Sequence, residues 1–298
     1  SVQIIKKADG WYINLRLLDN SIPDYKCDAL GVEYAACKAA FPPTNITPTW
    51  DNSLGMDAVL HESDYLATSE GFKLPSLKSL RKSKSKLAKV SQRKSAQKKG
   101  SKARLKLAKR EARVHQQIAR ARKDHIYNSA SALLATGKKV FFHEKLNLKG
   151  LMKRNQPKSD GNGHYLPNGQ SAKSGLALSW ADAAFAQFFQ ILKYKAEKAG
   201  ALVQEVNPAY TSQLLAYKDE FVFTDNSIRE YWDEELKLLI DRDINAGINI
   251  KRVGLGLFPT IKRRKGNLVT INSVTNSTLK VALTALRGFQ KPTLYSKS

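Results

Sequence analysis

Apolar and polar positions alternate at the start of the chain. Val2 and Ile4, then Trp11, Ile13, Leu15 and Leu17, flank Ala8-Asp9-Gly10, a pattern that predicts a β-hairpin. Residues 19 to 53 are rich in Pro, Asn, Thr and small side chains and read as a connector, with a boundary near residue 53. Residues 54 to 71 hold an apolar run with an acid inside it and a second run closed by Ser69-Glu70-Gly71, which predicts two adjacent strands. Leu80, Leu87 and Val90, and then Leu107, Val114, Ile118 and Ala121, recur at spacings of three, four and seven. They predict two amphipathic helices, with Gly100-Ser101 as the turn of an antiparallel helical hairpin. Lys138 to Asn147 reads as a strand. Trp180 to Ala199 reads as a helix whose apolar side is Ala184, Phe185, Phe188, Phe189, Ile191, Leu192 and Ala196. A strand, ALVQEVNP, follows Gly200, and this alternation favours an α/β sheet with crossover connections. Residues 209 to 240 form a polar, aromatic insert, a helix begins at Asp243, and the Gly-, Lys- and Ser/Thr-rich chain beyond Val253 reads as a loosely ordered tail.

Composition adds a partner class. With 298 residues, 42% of them hydrophobic, the chain can bury one sizeable core or two smaller ones, so disorder throughout is excluded. Its net charge of +24 fits a phosphate polyanion, with an acidic membrane surface as the competing partner. No apolar run reaches the ~20 residues of a bilayer span, and the N-terminus lacks a signal-peptide core. A cytoplasmic protein without a membrane partner is therefore expected. Cys27 and Cys37 form no C-x-x-C pair and read as reduced bystanders. The chain starts at Ser, and Met56 and Met152 are its methionines, which suggests a trimmed N-terminus.

The charge is concentrated. Lys73 to Lys123 holds 20 Lys or Arg against one acid, Glu111. A solvated face is the ordinary reading of a Lys-rich helix, but one sign of charge over every exposed position repels itself unless an anion is bound. The candidate nucleic-acid contacts here are Arg81, Lys82, Lys86, Arg93, Lys98, Lys99, Lys102, Arg104, Lys109, Arg110, Arg113, Arg120 and Arg122.

Phosphodiester hydrolysis needs an activated water and neutralisation of charge on phosphorus, which a pair of divalent cations supplies. Such ions take oxygen ligands from a few carboxylates plus the substrate phosphates. Three acids stand where that chemistry needs them. Asp57 interrupts the first core strand, where an unpaired charge is costly. Glu144 ends the most hydrophobic strand, and Asp243 opens the helix DRDINAGINI. Each also has a plainer explanation. Glu144 could be a strand-end acid paired with Lys145 or Arg242, and Asp243 a helix cap or first-turn residue.

The runs GMDAVLHESDYLATSEG, ARKDH, VFFHEKLNLKGL, NPAYTSQ and DRDINAGINI, in this order, resemble the successive motifs of the TnpB family over roughly residues 1 to 255. That family comprises transposon-encoded, RNA-guided DNA endonucleases related to type V CRISPR effectors. The resemblance implies an α/β fold with an RNase H-like (RuvC) mixed sheet over residues 54–254, a basic helical hairpin inserted at 73–135, and a target-nucleic-acid-binding insert at 209–240. Residues 1–53 would be the remnant of a wedge β-domain plus connector, and 255–298 a basic disordered tail. It makes Asp57, Glu144 and Asp243 the catalytic, metal-binding acids, with Asp241 a less suitable third acid. The cofactor would be Mg²⁺ or Mn²⁺, the partners guide RNA and target DNA, and the setting a prokaryotic cytoplasm with action at the nucleoid. Lys149, Arg242 and the YTSQ residues Tyr210, Thr211, Ser212 and Gln213 would lie near the substrate strand.

The chain departs from the family pattern in three ways. No cysteine lies between YTSQ and Asp243, so zinc is not expected, and Tyr217, Phe221, Phe223, Tyr231 and Trp232 are expected to hold the insert as a small aromatic core. Val59 stands where the family usually has glycine. Most of the wedge and recognition regions would precede residue 1. The expected function is thus an RNA-guided, metal-dependent DNA endonuclease of a mobile element. The alternatives are a nuclease-silent relative that binds RNA and DNA as a regulator, and a structural RNA-binding protein whose acids are salt-bridge partners.

Overall fold

The computed structural model describes residues 2–15, 46–223, 225, 227–264, 267–272 and 274–288. Cys27, Cys37 and most of the expected connector lie outside them. In chain order, β1 (Val2–Lys7) and β2 (Gly10–Leu15) are followed by β3 (Ser53–Ala58), β4 (Asp64–Thr68) and β5 (Lys73–Pro75). The helices α1 (Ser79–Ser95) and α2 (Lys102–Leu134) lead to β6 (Val140–Glu144), the short α3 (Leu148–Met152), β7 (Lys158–Ser159) and β8 (Tyr165–Leu166). Then come α4 (Gln170–Ala183), α5 (Phe185–Lys198), β9 (Leu202–Val206), β10 (Glu230–Asp233) and β11 (Leu238–Asp241). The chain continues through α6 (Arg242–Gly254), β12 (Thr260–Arg264), β13 (Asn267–Asn272) and α7 (Asn276–Gly288).

These elements divide into two compact units. One takes the described residues of Ser1–Phe41, Leu77–Ala130 and Arg154–Ile191, and the other those of Pro42–Ser76, Ser131–Lys153 and Leu192–Ser298. In the first unit, β1 and β2 pair antiparallel from Val2↔Leu15 to Lys7↔Gly10, as the alternation predicts. Glycine occupies the first position of β2, at φ 159°. The basic helices form on the predicted spacing, with Val90, Val114 and Ile118 buried. Near their turn Arg104 donates to the carbonyls of Lys94 and Gln97 at 3.2 and 3.0 Å, while Lys94 pairs with Glu111. The N-terminus of α1 has no side-chain cap of its own. The buried Asp182 of α4 accepts instead from the amides of Leu80 and Arg81, at 3.0 and 3.1 Å.

The second unit carries the mixed sheet, in the order β5-β4-β3-β6-β9. β3 pairs antiparallel with β4, and β4 with β5, whereas β3, β6 and β9 run parallel. The expected α/β class with a mixed sheet is therefore correct. Helix α6 crosses one face of it, and glycines let the backbones approach. A Cβ at Gly55 of β3 would lie 2.1 Å from the Gly247 carbonyl oxygen, and one at Gly254 would lie 2.3 Å from the Phe142 ring. On that face Val140, Phe142, Val206 and Ile250 form one buried cluster. A second cluster gathers Leu215, Ala216, Tyr217, Phe223, Leu238, Ile240 and Ile248 with Ala282 and Leu286 of α7.

Several expectations are corrected. The sequence reading starts the basic insert at residue 73, but residues 73–75 belong to the sheet and the helix starts at Ser79. A single helix over 180–199 is instead two, broken at Ala184 in the left-handed region (φ 52°), although Phe185, Phe188, Leu192 and Ala196 are buried as the stripe predicts. The stretch 255–288 is not a loose tail. β12 and β13 pair antiparallel and α7 buries Ala282 and Leu286, because its apolar positions recur at helical spacing within Ser/Thr-rich sequence. Trp232 is 43% exposed and does not belong to the aromatic core of the insert, since it alternates with the buried Asp233 on a short strand.

The close approach gives a stability prediction. Gly55→Ala forces a backbone clash and is expected to cost about 3 kcal/mol, read by chemical denaturation. Gly175→Ala in α4, where an added Cβ meets nothing within 4 Å, should stabilise by up to about 1 kcal/mol. Equal effects of the two would contradict this packing.

Candidate functional site

Strand register brings the first two acids together. β3 and β6 are parallel with Gly55 opposite Phe142 and Met56 opposite His143, so the next step sets Asp57 beside Glu144. Neighbouring strands lie ~4.8 Å apart. Gly55 and Asp57 share one strand face, as do Phe142 and Glu144, and this is the face that α6 covers. One Glu144 carboxylate oxygen accepts from the Ala58 amide at 3.1 Å, a bond that ties the end of β6 to β3. Arg242, offered above as a partner of Glu144, lies 3.5 Å from Asp243 Oδ1.

Asp243 comes from the other side. It lies four residues before Gly247 on α6, hence on the same helical face, over the C-terminal ends of β3 and β6. The helix cap is Asp241, whose Oδ1 accepts from the amides of Asp243 and Ile244 at 2.9 and 3.0 Å. Asp243 is therefore the first-turn acid and is not needed as the cap. Its Oδ1 meets Arg229 at 3.2 Å and Arg242 at 3.5 Å, and its Oδ2 lies 3.7 Å from Lys73. Lys73 also pairs with Asp241 at 2.6 Å and Asp64 at 3.4 Å. Arg229 and Lys73 were not singled out by sequence, because they come from an exposed loop and an edge strand that carry no motif.

Burial pushes the Asp57 carboxyl well above the usual carboxylate range. Repulsion from Glu144 and then Asp243 adds to that effect, while Arg242 and Arg229 oppose it. Burial likewise raises Glu144 from 4.5 to about 7, against the Ala58 hydrogen bond. Among the described residues neither acid has a basic side chain in ion-pair contact. The protein thus holds two half-buried carboxylates facing a third.

That donor set fits a hard divalent cation, which takes oxygen ligands and relieves the same repulsion. Among the described residues no group of three or more His, Cys, Asp or Glu is placed so that it could hold a metal ion. An open site of one or two carboxylates completed by substrate phosphates is the usual arrangement for Mg²⁺.

The YTSQ segment sits against α6. Asn249 donates to the carbonyls of Thr211 and Leu214 at 2.9 and 2.7 Å, and Asn245 to that of Leu214 at 2.8 Å. Tyr210 adopts φ 68° and packs edge-on against Phe221, Ser212 is exposed and Gln213 half-buried. The fully buried Arg252 of α6 pairs with Asp219 at 2.8 Å, so the insert is fastened to the same helix that carries Asp243. Val59 is buried, and its amide donates to the Tyr65 carbonyl at 3.0 Å.

The basic residues fall into two groups. Lys82, Lys86, Arg93, Lys98, Lys99, Lys102, Lys109 and Arg110 are exposed on α1, α2 and their turn, and Lys149 is exposed on α3. Others have protein partners that the sequence did not disclose. Arg81 donates to Ser179 at 2.6 Å, Arg113 to the Ala8 carbonyl at 3.4 Å, and Arg120 and Arg122 pair with Asp9 and Asp182 at 2.7 and 3.1 Å. Arg104 closes its turn, as described above. Arg242, mostly buried, also donates to the Ile228 carbonyl at 3.2 Å.

Residues 41–155 match the family model OrfB_IS605, described as "Probable transposase", and residues 185–250 match the model described as Cas12f1-like, TNB domain. Among solved structures, a chain of the "Cryo-EM structure of the Cas12f1-sgRNA-target DNA complex" is 14% identical with a TM-score of 0.43. The alignment covers 85% of this chain and 56% of that one, so this chain spans little more than half the length of that relative. No curated protein matches the chain. Among the described residues no helix is long and apolar enough to cross a membrane.

A pH signature follows from the carboxylates. The unfolded chain releases the Glu144 proton near 4.5 while the folded chain keeps it to about 7. The folded state thus binds more protons in that window, and its stability falls as pH rises through it. Melting of the metal-free protein should show this fall, and added Mn²⁺ should raise Tm more at pH 8 than at pH 6, because the cation displaces those protons. Equal shifts at both pH values would contradict the assignment.

Proposed function

We propose that the chain is a TnpB-like protein related to the type V effectors, and that it is an RNA-guided, divalent-metal-dependent DNA endonuclease of a mobile element with an RNase H-like (RuvC) nuclease core. The observation that carries this reading is the convergence of Asp57, Glu144 and Asp243 from two parallel strands and a helix start, with the proton affinity of Asp57 and Glu144 raised. Carboxylates gathered by fold geometry at strand ends are functional candidates, and their raised affinity for protons is the same property that favours a cation. The mixed sheet supports the RNase H-like part of the reading.

Asp57, Glu144 and Asp243 would hold Mg²⁺ or Mn²⁺, which when bound supplies an activated water and neutralises charge on the transferring phosphorus. The remaining work falls to the chain. Burial around Asp57 raises its affinity for a proton, and a cation would take that proton's place. Asp241 caps α6 and fixes the direction of its first turn, and with it Asp243. Arg229 lies beside Asp243 and is 46% exposed at its side chain, well placed to meet a backbone phosphate. The exposed cations of α1 and α2 supply the sequence-independent attraction for guide RNA and DNA.

One observation favours a second reading, a nuclease-silent binder of RNA and DNA. Asp243 already has Arg229, Arg242 and Lys73 around it, and those cations could take the place of metal.

Cleavage separates the two readings. Purified with its co-expressed RNA, the chain should cut DNA complementary to that RNA only with Mg²⁺ or Mn²⁺. Asp57→Ala, Glu144→Ala and Asp243→Ala should each lower the rate by about a thousandfold or more, and the triple variant should be little worse than any one, because such residues act as a unit. Wild-type binding without cleavage would support the silent reading. Cleavage undiminished in all three variants would overturn the site.

A further inference from the structure

Lys73 belongs to no motif, yet its ammonium stands among three carboxylates. It lies 2.6 Å from Asp241 Oδ2, 3.4 Å from Asp64 Oδ2 and 3.7 Å from Asp243 Oδ2. We propose that Lys73 is a positioning residue for the cation site: by holding the second oxygen of Asp241 it fixes the cap of α6, and through that cap the carboxylate of Asp243. The inference rests on the reading of Asp57, Glu144 and Asp243 as cation ligands.

The geometry carries it in three steps. First, the two Asp241 oxygens have separate duties, since Oδ1 accepts from the amides of Asp243 and Ile244 while Oδ2 meets Lys73. A carboxylate anchored at one oxygen by a cation cannot rotate its other oxygen away from the helix amides, so the first turn of α6 is held in one orientation. Second, Lys73 is placed by the sheet. β5 pairs with β4 through Ala67↔Lys73 and Asp64↔Pro75, which projects the ammonium from the edge strand toward the start of α6. Third, Asp241 and Asp243 are two residues apart in a site already rich in negative charge. Without Lys73, repulsion between the two carboxylates would turn Asp241 from the helix amides and displace Asp243 from its place. The two arginines near Asp243 contact its other oxygen, Oδ1.

A half-buried ion pair with no role beyond stability would change Tm alone. A positioning role changes cation affinity, so Mn²⁺ binding to the full-length chain without nucleic acid is the direct test, read by electron paramagnetic resonance. Residues that orient metal ligands typically cost 10–100-fold in affinity when replaced, so Lys73→Met should weaken binding by about tenfold, while Lys73→Arg should stay within about threefold. Adding Asp241→Asn to Lys73→Met should regain most of the loss, because the amide oxygen still caps α6 and the uncompensated charge is gone. Unchanged Mn²⁺ affinity in Lys73→Met, with or without a change in Tm, overturns the proposal, and so does a double variant no better than Lys73→Met. Loss of folding in Lys73→Met would move the same comparison to Lys73→Gln. Wild-type Mn²⁺ binding that Asp57→Ala abolishes, without DNA cleavage, would sink the nuclease reading and leave the role of Lys73 standing. Wild-type binding indifferent to Asp57→Ala would sink the cation site itself.

Discussion

The contact between the backbone of α6 and that of β3 is the constraint on which the candidate site depends. At Gly55 there is no room for even one carbon atom, since a Cβ would meet the Gly247 carbonyl oxygen at 2.1 Å. Glycine at both positions lets a helix lie on a strand at a separation that side chains would forbid. Asp57 is two residues beyond Gly55 and Asp243 is one helical turn before Gly247, so a single close approach brings both acids to one place. The parallel register of β3 and β6 then adds Glu144. The run DRDINAGINI can be read as a division of labour on one helix. Asp241 caps, Asp243 enters the site, Gly247 meets the sheet, and Asn245 and Asn249 hold the segment that carries Thr211 and Leu214.

The same packing creates an electrostatic problem. Three carboxylates are gathered where burial weakens their solvation, and the basic groups nearby gather on Asp243 rather than on Asp57 or Glu144. Such an arrangement is poorly suited to stability alone, because carboxylates held together out of water must either repel one another or keep protons. A bound cation would resolve it, and the carboxylates offer the oxygen donors that a hard divalent ion takes. The excess positive charge on α1, α2 and their turn is the complementary feature. It makes physical sense opposite a polyanion.

Much of this was legible in the sequence. The alternation around Ala8-Asp9-Gly10, the heptad-like spacing of Val90, Val114 and Ile118, and the apolar runs around Asp57 and Glu144 predicted their elements because burial follows period. The three acids could be nominated since Asp57 interrupts such a run, Glu144 ends one and Asp243 opens a helix. Register was not legible, for no periodicity says which strand lies beside β3, so nothing in the chain alone placed Asp57 opposite Glu144. The break at Ala184 escaped notice because alanine is an ordinary helix former and its left-handed conformation has no local signal. The segment after Val253 was hidden by Ser, Thr and Lys, although Ala282 and Leu286 stand at helical spacing. Arg104 and Arg122 looked like free cations, and only the fold reveals the carbonyls and the carboxylate they serve. Lys73 was counted into the basic insert, whereas a three-residue edge strand turns it toward Asp241.

The central claim is that Asp57, Glu144 and Asp243 together form one divalent-cation site. Anomalous diffraction from crystals of the full chain grown with Mn²⁺ tests it most directly. The account predicts anomalous density within coordination distance of Asp57 and at least one of the other two acids, absent from crystals of Asp57→Ala. Density only elsewhere on the protein, or none while Arg229 and Lys73 keep their places on Asp243, would contradict it.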